Sequence, residues 1–362
     1  MSKKIAVVFG GVSNENEISV ITGTMACNIL ADGGMEVLPV YISQQGQFYS
    51  GAELAKLNTY KQNAYDKCLF AVIADGGVYL FNKRRKLKKH VNVDCVLNCC
   101  HGGFGEGGGL SGICAAAGLP LAGAGMFESS VFMDKYLTKL ILESLGVKSA
   151  PYTYLRQTDE CICDNFDFPA IVKPVTLGSS IGIQKVSNGE ELKAALDCAF
   201  IYDSAAIVEK FLENRREINC AAYFADGEIH VSECEEALTE GDILSFEDKY
   251  QGGGRSVMPA DISAENSTRI RGITREVYRK LNMRGIVRFD FIISDDIYLS
   301  EINTVPGSLA YYLFSKKFKG FYSVLESVIR QAEKDFANSR KTLLTTGILQ
   351  NLPETSCKAA KK

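Results

Sequence analysis

Two short stretches late in the chain, Arg288-x-Asp290 and Glu301-x-Asn303, carry residue types suited to metal and phosphate chemistry. Spacing by two puts each pair on one face of an extended strand. If the two strands are neighbours, an arginine, two carboxylates and an amide face one pocket. Carboxylate and amide oxygens are hard ligands that suit Mg²⁺ beside nucleotide phosphates. Surface salt bridges on two exposed hairpin faces are the plainer alternative. The turn Asn303-Thr304-Val305-Pro306-Gly307, whose backbone amides could face an anion, favours the pocket. Lys173 is a second signal. It ends the apolar run Ala170-Ile171-Val172, a place where lysine is rare without a partner. Shortly after it, Ser179-Ser180 lie in a loop bounded by Gly178 and Gly182. Backbone N–H groups in such loops form anion-binding nests, so the two elements together suit a phosphate grip. The Walker pattern GxxxxGK[ST] is absent, and an ordinary hairpin with a snorkelling lysine is the alternative.

The elements that must position these residues can be read along the chain. Ile5–Phe9 is a short apolar run closing on Gly10-Gly11, as expected of a buried parallel strand feeding a tight turn. Asn14-x-x-Glu17 resembles a helix start, with Ile18, Ile21, Ala26, Ile29 and Leu30 as its buried face. Val37–Tyr41 is the next strand, mixed strands and charge run from Ile42 to about His90, and Val93–Cys99 is a further strand ending at His101-Gly102-Gly103. This alternation predicts an open α/β domain. A helix is expected from about Ser129 to Leu145. Beyond it the texture is α+β: strands at Ala170–Pro174, Ala206–Phe211, Arg216–Phe224, Val287–Ile293 and Ile297–Ile302. The tail from Lys341 has a weak pattern.

Composition narrows the function classes. The chain has 362 residues and a formal net charge of −3, which is not the balance of a nucleic-acid binder. The basic run Lys83-Arg84-Arg85 through Lys88-Lys89 reads as a solvated turn or hairpin end. No apolar run approaches the roughly 20 residues needed to span a bilayer, and the first apolar run is too short for a signal peptide. Twelve cysteines at irregular spacing, with no Cys-x-x-Cys and only three histidines, argue against zinc. Reduced core thiols and a cytoplasmic location are expected. Cys99-Cys100 reads as strand core, and His90 and His230 as surface residues. No GxGxxG follows the first strand, which disfavours a nicotinamide cofactor.

An ordered set of motifs runs through almost the whole chain. It comprises Gly10-Gly11-x-Ser13-x-Glu15-x-Glu17-Ile18-Ser19, His101-Gly102, Gly105-Glu106, Met133-Asp134-Lys135, Val172-Lys173-Pro174, Leu177-Gly178-Ser179-Ser180-x-Gly182, Val208-Glu209-Lys210, Lys249-Tyr250, Pro259-Ala260, Arg288-x-Asp290 and Glu301-x-Asn303-Thr304-x-Pro306-Gly307. This set resembles the D-alanine–D-alanine ligases of the ATP-grasp superfamily. The resemblance implies a three-domain fold mixing α/β and α+β: an N-terminal open α/β domain over residues 1–124, a central domain over 125–211, a C-terminal domain over 212–340, and a tail over 341–362. It implies ATP- and Mg²⁺-dependent joining of two D-alanines through a D-alanyl phosphate, for peptidoglycan precursor synthesis. Two Mg²⁺ ions, or Mn²⁺ in their place, and a homodimer are implied as well. Alternatives are an ATP-grasp ligase that uses a different amine, and a nucleotide-binding regulator without turnover.

By matching position, Lys135, Lys173, Ser179 and Ser180 would grip phosphates. Glu209, Lys210 and Leu212 would form the adenine edge, and Glu217 would reach the ribose. Asp290, Glu301 and Asn303 would hold the metal. Glu15 would bind the ammonium of the first D-alanine and, with Ser179 and Tyr250, join the N-terminal domain to a lid carrying Lys249. His101 would sit beside the substrates, and Arg288 with the Gly307 backbone N–H would hold the oxyanion. This chain departs from the family's pattern twice. Gly105-Glu106-Gly107-Gly108 stands where Gly-Glu-Asp-Gly is usual. Tyr312 stands where a serine would bind the carboxylate of the second amino acid, leaving Ser308, Tyr311, Tyr312 and Lys249 to shape that pocket.

Overall fold

The computed structural model describes residues 2–159, 166–239, 241, 255–339 and 346–352. Three sheets follow one another along the chain. The first has eight strands: β1 (Lys4–Gly10), β2 (Glu36–Ile42), β3 (Phe48–Ser50), β4 (Leu69–Ala74), β5 (Gly77–Phe81), β6 (Leu87–Asn92), β7 (Cys95–Asn98) and β8 (Leu121–Ala122), in the order β6-β5-β4-β3-β2-β1-β7-β8. The run from Ile5 is buried throughout, because β1 is flanked by parallel strands β2 and β7 and covered by helices. The mixed segment from Ile42 to His90 extends the parallel half as an antiparallel meander. Its basic run is the β5–β6 turn and the exposed edge strand β6, with the Arg85 guanidinium 3.6 Å above the Phe70 ring.

The second sheet is four-stranded and antiparallel: β9 (Tyr152–Arg156), β10 (Ala170–Pro174), β11 (Gln184–Val186) and β12 (Ala205–Lys210), in the order β11-β10-β12-β9. The third holds β13 (Arg216–Ala225), β14 (Glu228–Val231), β15 (Glu235–Ala237), β16 (Ser256–Val257), β17 (Val287–Ile293) and β18 (Ile297–Asn303), with β16-β15-β13-β17-β18 as its main path.

The cores show how the sheets are joined. Ile5, Val7 and Phe9 of the first sheet share one buried cluster with Ala221 of the third sheet, with Val305 and Leu309, and with the helix Phe318–Ser339. The second sheet closes its own cluster with the helix Gly189–Tyr202. Among the described residues all nine cysteines are free thiols, and no helix is long and apolar enough to cross a membrane.

Two expectations are corrected. The helix expected over 129–145 is two helices, Met126–Phe132 and Lys135–Ser144. Asp134 is extended and its side chain caps the second helix through the Leu137 N–H at 2.9 Å, so a local cap overrides the continuous apolar pattern. The first helix runs Asn16–Asp32, and its flanking residue is Glu15 rather than Asn14. Ile21 is 47% exposed and, with Ile18, lines the cavity described next.

Candidate active site

One cavity of about 550 Å³ gathers most of the chemistry-bearing residues. Its floor is a row of cross-strand neighbours. Asp290 on β17 pairs in register with Glu301 on β18, and Arg288 with Asn303. Residues two apart on a strand share a face, so all four side chains reach the cavity. Arg288 donates to both Asp290 oxygens, from Nε at 2.7 Å and Nη2 at 2.8 Å, and Asn303 Nδ2 donates to Asp290 at 2.9 Å. The third nitrogen of Arg288, Nη1, lies 3.3 Å from the Tyr312 hydroxyl. Burial, and the charge of Glu235 among nearby groups, push the Tyr312 phenol up to about 12, against the opposing pull of Arg288.

The lysines stand across from this floor. Lys135, in the first turn of its helix, donates to the Leu177 carbonyl and lies 3.8 Å from Glu301. Lys173 ends a fully buried strand and would be costly there alone. Its ammonium meets Glu209 at 2.6 Å, and Lys139, whose side chain is only 2% exposed, meets the same carboxylate at 2.9 Å. Burial pushes the Glu209 carboxyl up, but the two ammonium groups more than offset it and hold it at about 2. Burial pushes Lys139 down, opposed by Glu209. Glu209 thus fixes the phosphate-side lysine. Of the residues expected at the adenine edge, the Glu209 carboxylate is engaged behind Lys173, Lys210 is exposed, and Leu212 packs with Ala150 and Ile292. None of the three is among the cavity's lining residues. Glu217 does line it, paired to Arg215.

At the other end, Ser179 donates to the Glu15 carboxylate, joining the central loop to the N-terminal helix start. Ser179 and Ser180 both adopt left-handed backbone, at φ +53° and +60°. A Cβ on Gly102 would come within 2.6 Å of a Glu15 oxygen, and one on Gly178 within 2.9 Å, so glycine at both positions leaves the carboxylate its room. Thr22 is the hub between this end and the turn after β18. Its hydroxyl accepts the Ser308 N–H at 3.0 Å and shares a hydrogen bond with His101 Nε2 at 2.7 Å. Burial, together with the charge of Arg288, brings the His101 ring down to about 4, so it is neutral at ordinary pH. Gly307 and Ser308 line the cavity on that turn, where Ser308, Leu309 and Ala310 all have φ near +50°. Lys249 and Tyr250 lie outside the described residues.

Several residues that line the cavity or support it carried no clear sequence signal. Lys139 follows Lys135 by one helical turn, and that spacing alone could have drawn attention to it. Glu106 sits in a quoted motif but had no assigned role. It accepts from the Gly102 and Val305 N–H groups at 2.7 and 3.2 Å, and burial and the nearby Glu15 push its carboxyl up to about 8. Thr22, Asn219 and Glu235 had no local pattern to reveal them.

The oxygen donors Asp290, Glu301 and Asn303 fit a hard divalent ion in chemistry and in their shared face. Among the described residues no group of three His, Cys, Asp or Glu is assembled as a metal cage. That incomplete set suits an ion such as Mg²⁺, which usually takes one or two carboxylates plus substrate phosphates.

Comparison with known proteins covers most of the chain. A family model described as the D-ala D-ala ligase N-terminus matches residues 4–124, and one described as the D-ala D-ala ligase C-terminus matches residues 141–330. A D-alanine–D-alanine ligase of Thermosipho melanesiensis is 33% identical, over 96% of this chain and 98% of its own. One from Nitratiruptor sp. is 37% identical, over 91% of this chain and 94% of its own. Among solved structures, the D-alanine–D-alanine ligase of Helicobacter pylori superposes with a TM-score of 0.77 at 28% identity, covering 91% of this chain and 98% of that one. The VanG D-Ala:D-Ser ligase of Enterococcus faecalis gives 0.78 at 27% identity, covering 92% and 100%.

Proposed function

The chain belongs to the D-alanine–D-alanine ligase family, and from that premise we propose how its cavity joins two D-alanines at the expense of ATP for peptidoglycan precursor synthesis. The observation that carries the reading is the single cavity in which Asp290, Glu301, Asn303 and Arg288 face Lys135 and Lys173. A carboxylate is a poor electrophile until it is phosphorylated. Glu15 beside Ser179 offers an anionic seat for the ammonium of the first D-alanine, which leaves its carboxylate directed at the nucleotide. Transfer of the γ-phosphoryl group depends on positioning and charge neutralisation, which Lys135 and Lys173 supply. A divalent ion held by Asp290, Glu301 and Asn303 would add charge neutralisation at the phosphates; we assign two Mg²⁺ to this set.

The acylphosphate is then attacked by the amine of the second amino acid. Negative charge develops on the former carboxylate oxygen, and Arg288 with the Gly307 N–H would donate to it. His101, held neutral, and Thr22 keep the Ser308 turn in register with the first-substrate end. We place the reaction in the cytoplasm, with the protein acting as a homodimer. The test is ADP release and product mass with ATP, Mg²⁺ and D-alanine. D-alanyl-D-alanine formed in step with ADP is expected. ADP without dipeptide would mean a different acceptor, and neither would mean a regulator without turnover.

A further inference from the structure

The floor row continues past the residues used so far. Glu235 on β15 is the cross-strand neighbour of Asn219 on β13, Asn219 of Asp290, and Asp290 of Glu301, and all four line the cavity. Adjacent strands lie about 4.8 Å apart, so Glu235 stands roughly 10 Å from Asp290 and roughly 15 Å from Glu301 along the row. Lys135 marks the Glu301 end as the phosphate end. Glu235 stands at the opposite end, and its charge acts on Tyr312, which lines the same cavity. The acceptor-pocket role expected of Tyr312 makes that the side of the second amine.

Glu235 is 7% exposed, and its Oε2 accepts from Asn219 Nδ2 at 3.0 Å. Among the described residues no donor or cation meets its other oxygen. A buried carboxylate with one neutral partner is costly. Its neighbours are treated differently: Asp290 has Arg288, Glu217 has Arg215, Glu236 has Arg216 and Glu209 has two lysines. Among the described residues the arginines lining the cavity are Arg288, which is committed to Asp290, Arg215, which is paired to Glu217, and Arg255. The Tyr312 ring lines the same cavity as Glu235. A buried carboxylate with an aromatic ring in the same cavity is chemistry that holds an organic cation.

We propose that Glu235, held by Asn219 and sharing the cavity with Tyr312, is a cation-recognising subsite in the acceptor half of the cavity, and that the enzyme joins D-alanine to basic D-amino acids whose side chains end in an ammonium, as well as to D-alanine. The proposal rests on the ligase reading. The neutral α-amine of the acceptor forms the new C–N bond, gives up one proton to solvent and keeps the other as the amide N–H. The bond from the acyl carbon to the phosphate oxygen breaks, and inorganic phosphate leaves with the electron pair. The side-chain ammonium is not consumed and stays against Glu235.

The experiment is a competition in one vessel: ATP, Mg²⁺, D-alanine and equal D-lysine and D-norleucine, with products read by mass. D-norleucine has a similar unbranched side chain without the charge. D-alanyl-D-lysine is expected to exceed D-alanyl-D-norleucine by about tenfold or more, and Glu235→Gln should bring the ratio near unity. D-alanyl-D-alanine alone, or a norleucine product equal to or above the lysine product, overturns the subsite and leaves the ligase reading standing. A lysine preference that survives in folded Glu235→Gln also overturns the role of Glu235. If that variant does not fold, the competition in the native protein decides, and Asn219→Ala, which frees the carboxylate to reorient, should reduce the same ratio. Failure to form any dipeptide or ADP, with D-alanine included, removes the ligase reading and this proposal with it.

Discussion

Replacing Glu209 by glutamine should unload two buried lysines at once. At an effective dielectric of about 20, ion pairs at 2.6 and 2.9 Å are each worth roughly 6 kcal/mol before desolvation is subtracted. Most of that gain only offsets the burial of three charges. The variant loses the attraction and keeps two ammonium groups with no counter-charge, so the expected net cost is about 3–5 kcal/mol. For a module of about 200 residues that lowers the melting temperature by roughly 6–20 °C. Lys139→Met is a different perturbation. It leaves Glu209 and Lys173 as a neutral pair and should cost roughly 1–2 kcal/mol. Adding Lys139→Met to Glu209→Gln removes one stranded charge, so the double variant should be more stable than Glu209→Gln alone. Thermal unfolding of the three variants gives the cycle, and ATP affinity gives a second readout, since a Lys173 that is no longer held loses its aim. Equal losses for Lys139→Met and Glu209→Gln, or no recovery in the double variant, would refute the account of Glu209 as a shared counter-ion.

Glu301→Gln should abolish turnover with an unchanged melting temperature, because that charge serves the cavity rather than a core; normal activity at low Mg²⁺ would sink the metal assignment. Arg288→Ala should lower turnover by about 100–1000-fold with a much smaller change in ATP affinity; a collapse of nucleotide binding with the remaining turnover untouched would make Arg288 a phosphate or framework residue. His101 titrates near 4 in the fold against an ordinary value of 6.5, so the unfolded chain binds the proton more tightly. Its stabilising contribution is therefore complete above about pH 6.5 and is lost as pH falls toward 4, on the order of 3 kcal/mol in all. Denaturant midpoints at pH 7 and pH 4.5 should converge between the native protein and His101→Asn, and a constant gap would contradict the neutral, hydroxyl-bonded ring.

The floor of the site could be read from the chain because strand geometry is periodic. Arg288 with Asp290, and Glu301 with Asn303, had to share faces if their strands paired, and the register pairs them. Lys173 was legible because a lysine ending an apolar strand demands a partner. Which partner it takes depends on β12 lying beside β10, a contact between segments far apart in the chain. The same limit hid Glu235, whose neighbours come from three strands. The split at Asp134 was lost to an apolar pattern that continues across it, although the capping aspartate was itself a local signal. Ile21 looked like core because helical spacing cannot distinguish a face that meets another layer from one that meets a cavity.

The sharing of cores sets the mechanics. Because the first and third sheets are knitted by one apolar cluster, and the second sheet keeps a cluster of its own, the molecule is built as an anvil and a single jaw. The anvil carries Glu15, His101, Arg288, Asp290 and the Ser308 turn, so the acyl-transfer geometry is machined into one block. The jaw carries Lys173 and Ser179. Opening it would let spent nucleotide go while leaving the amide-forming half of the tool in alignment for the next cycle.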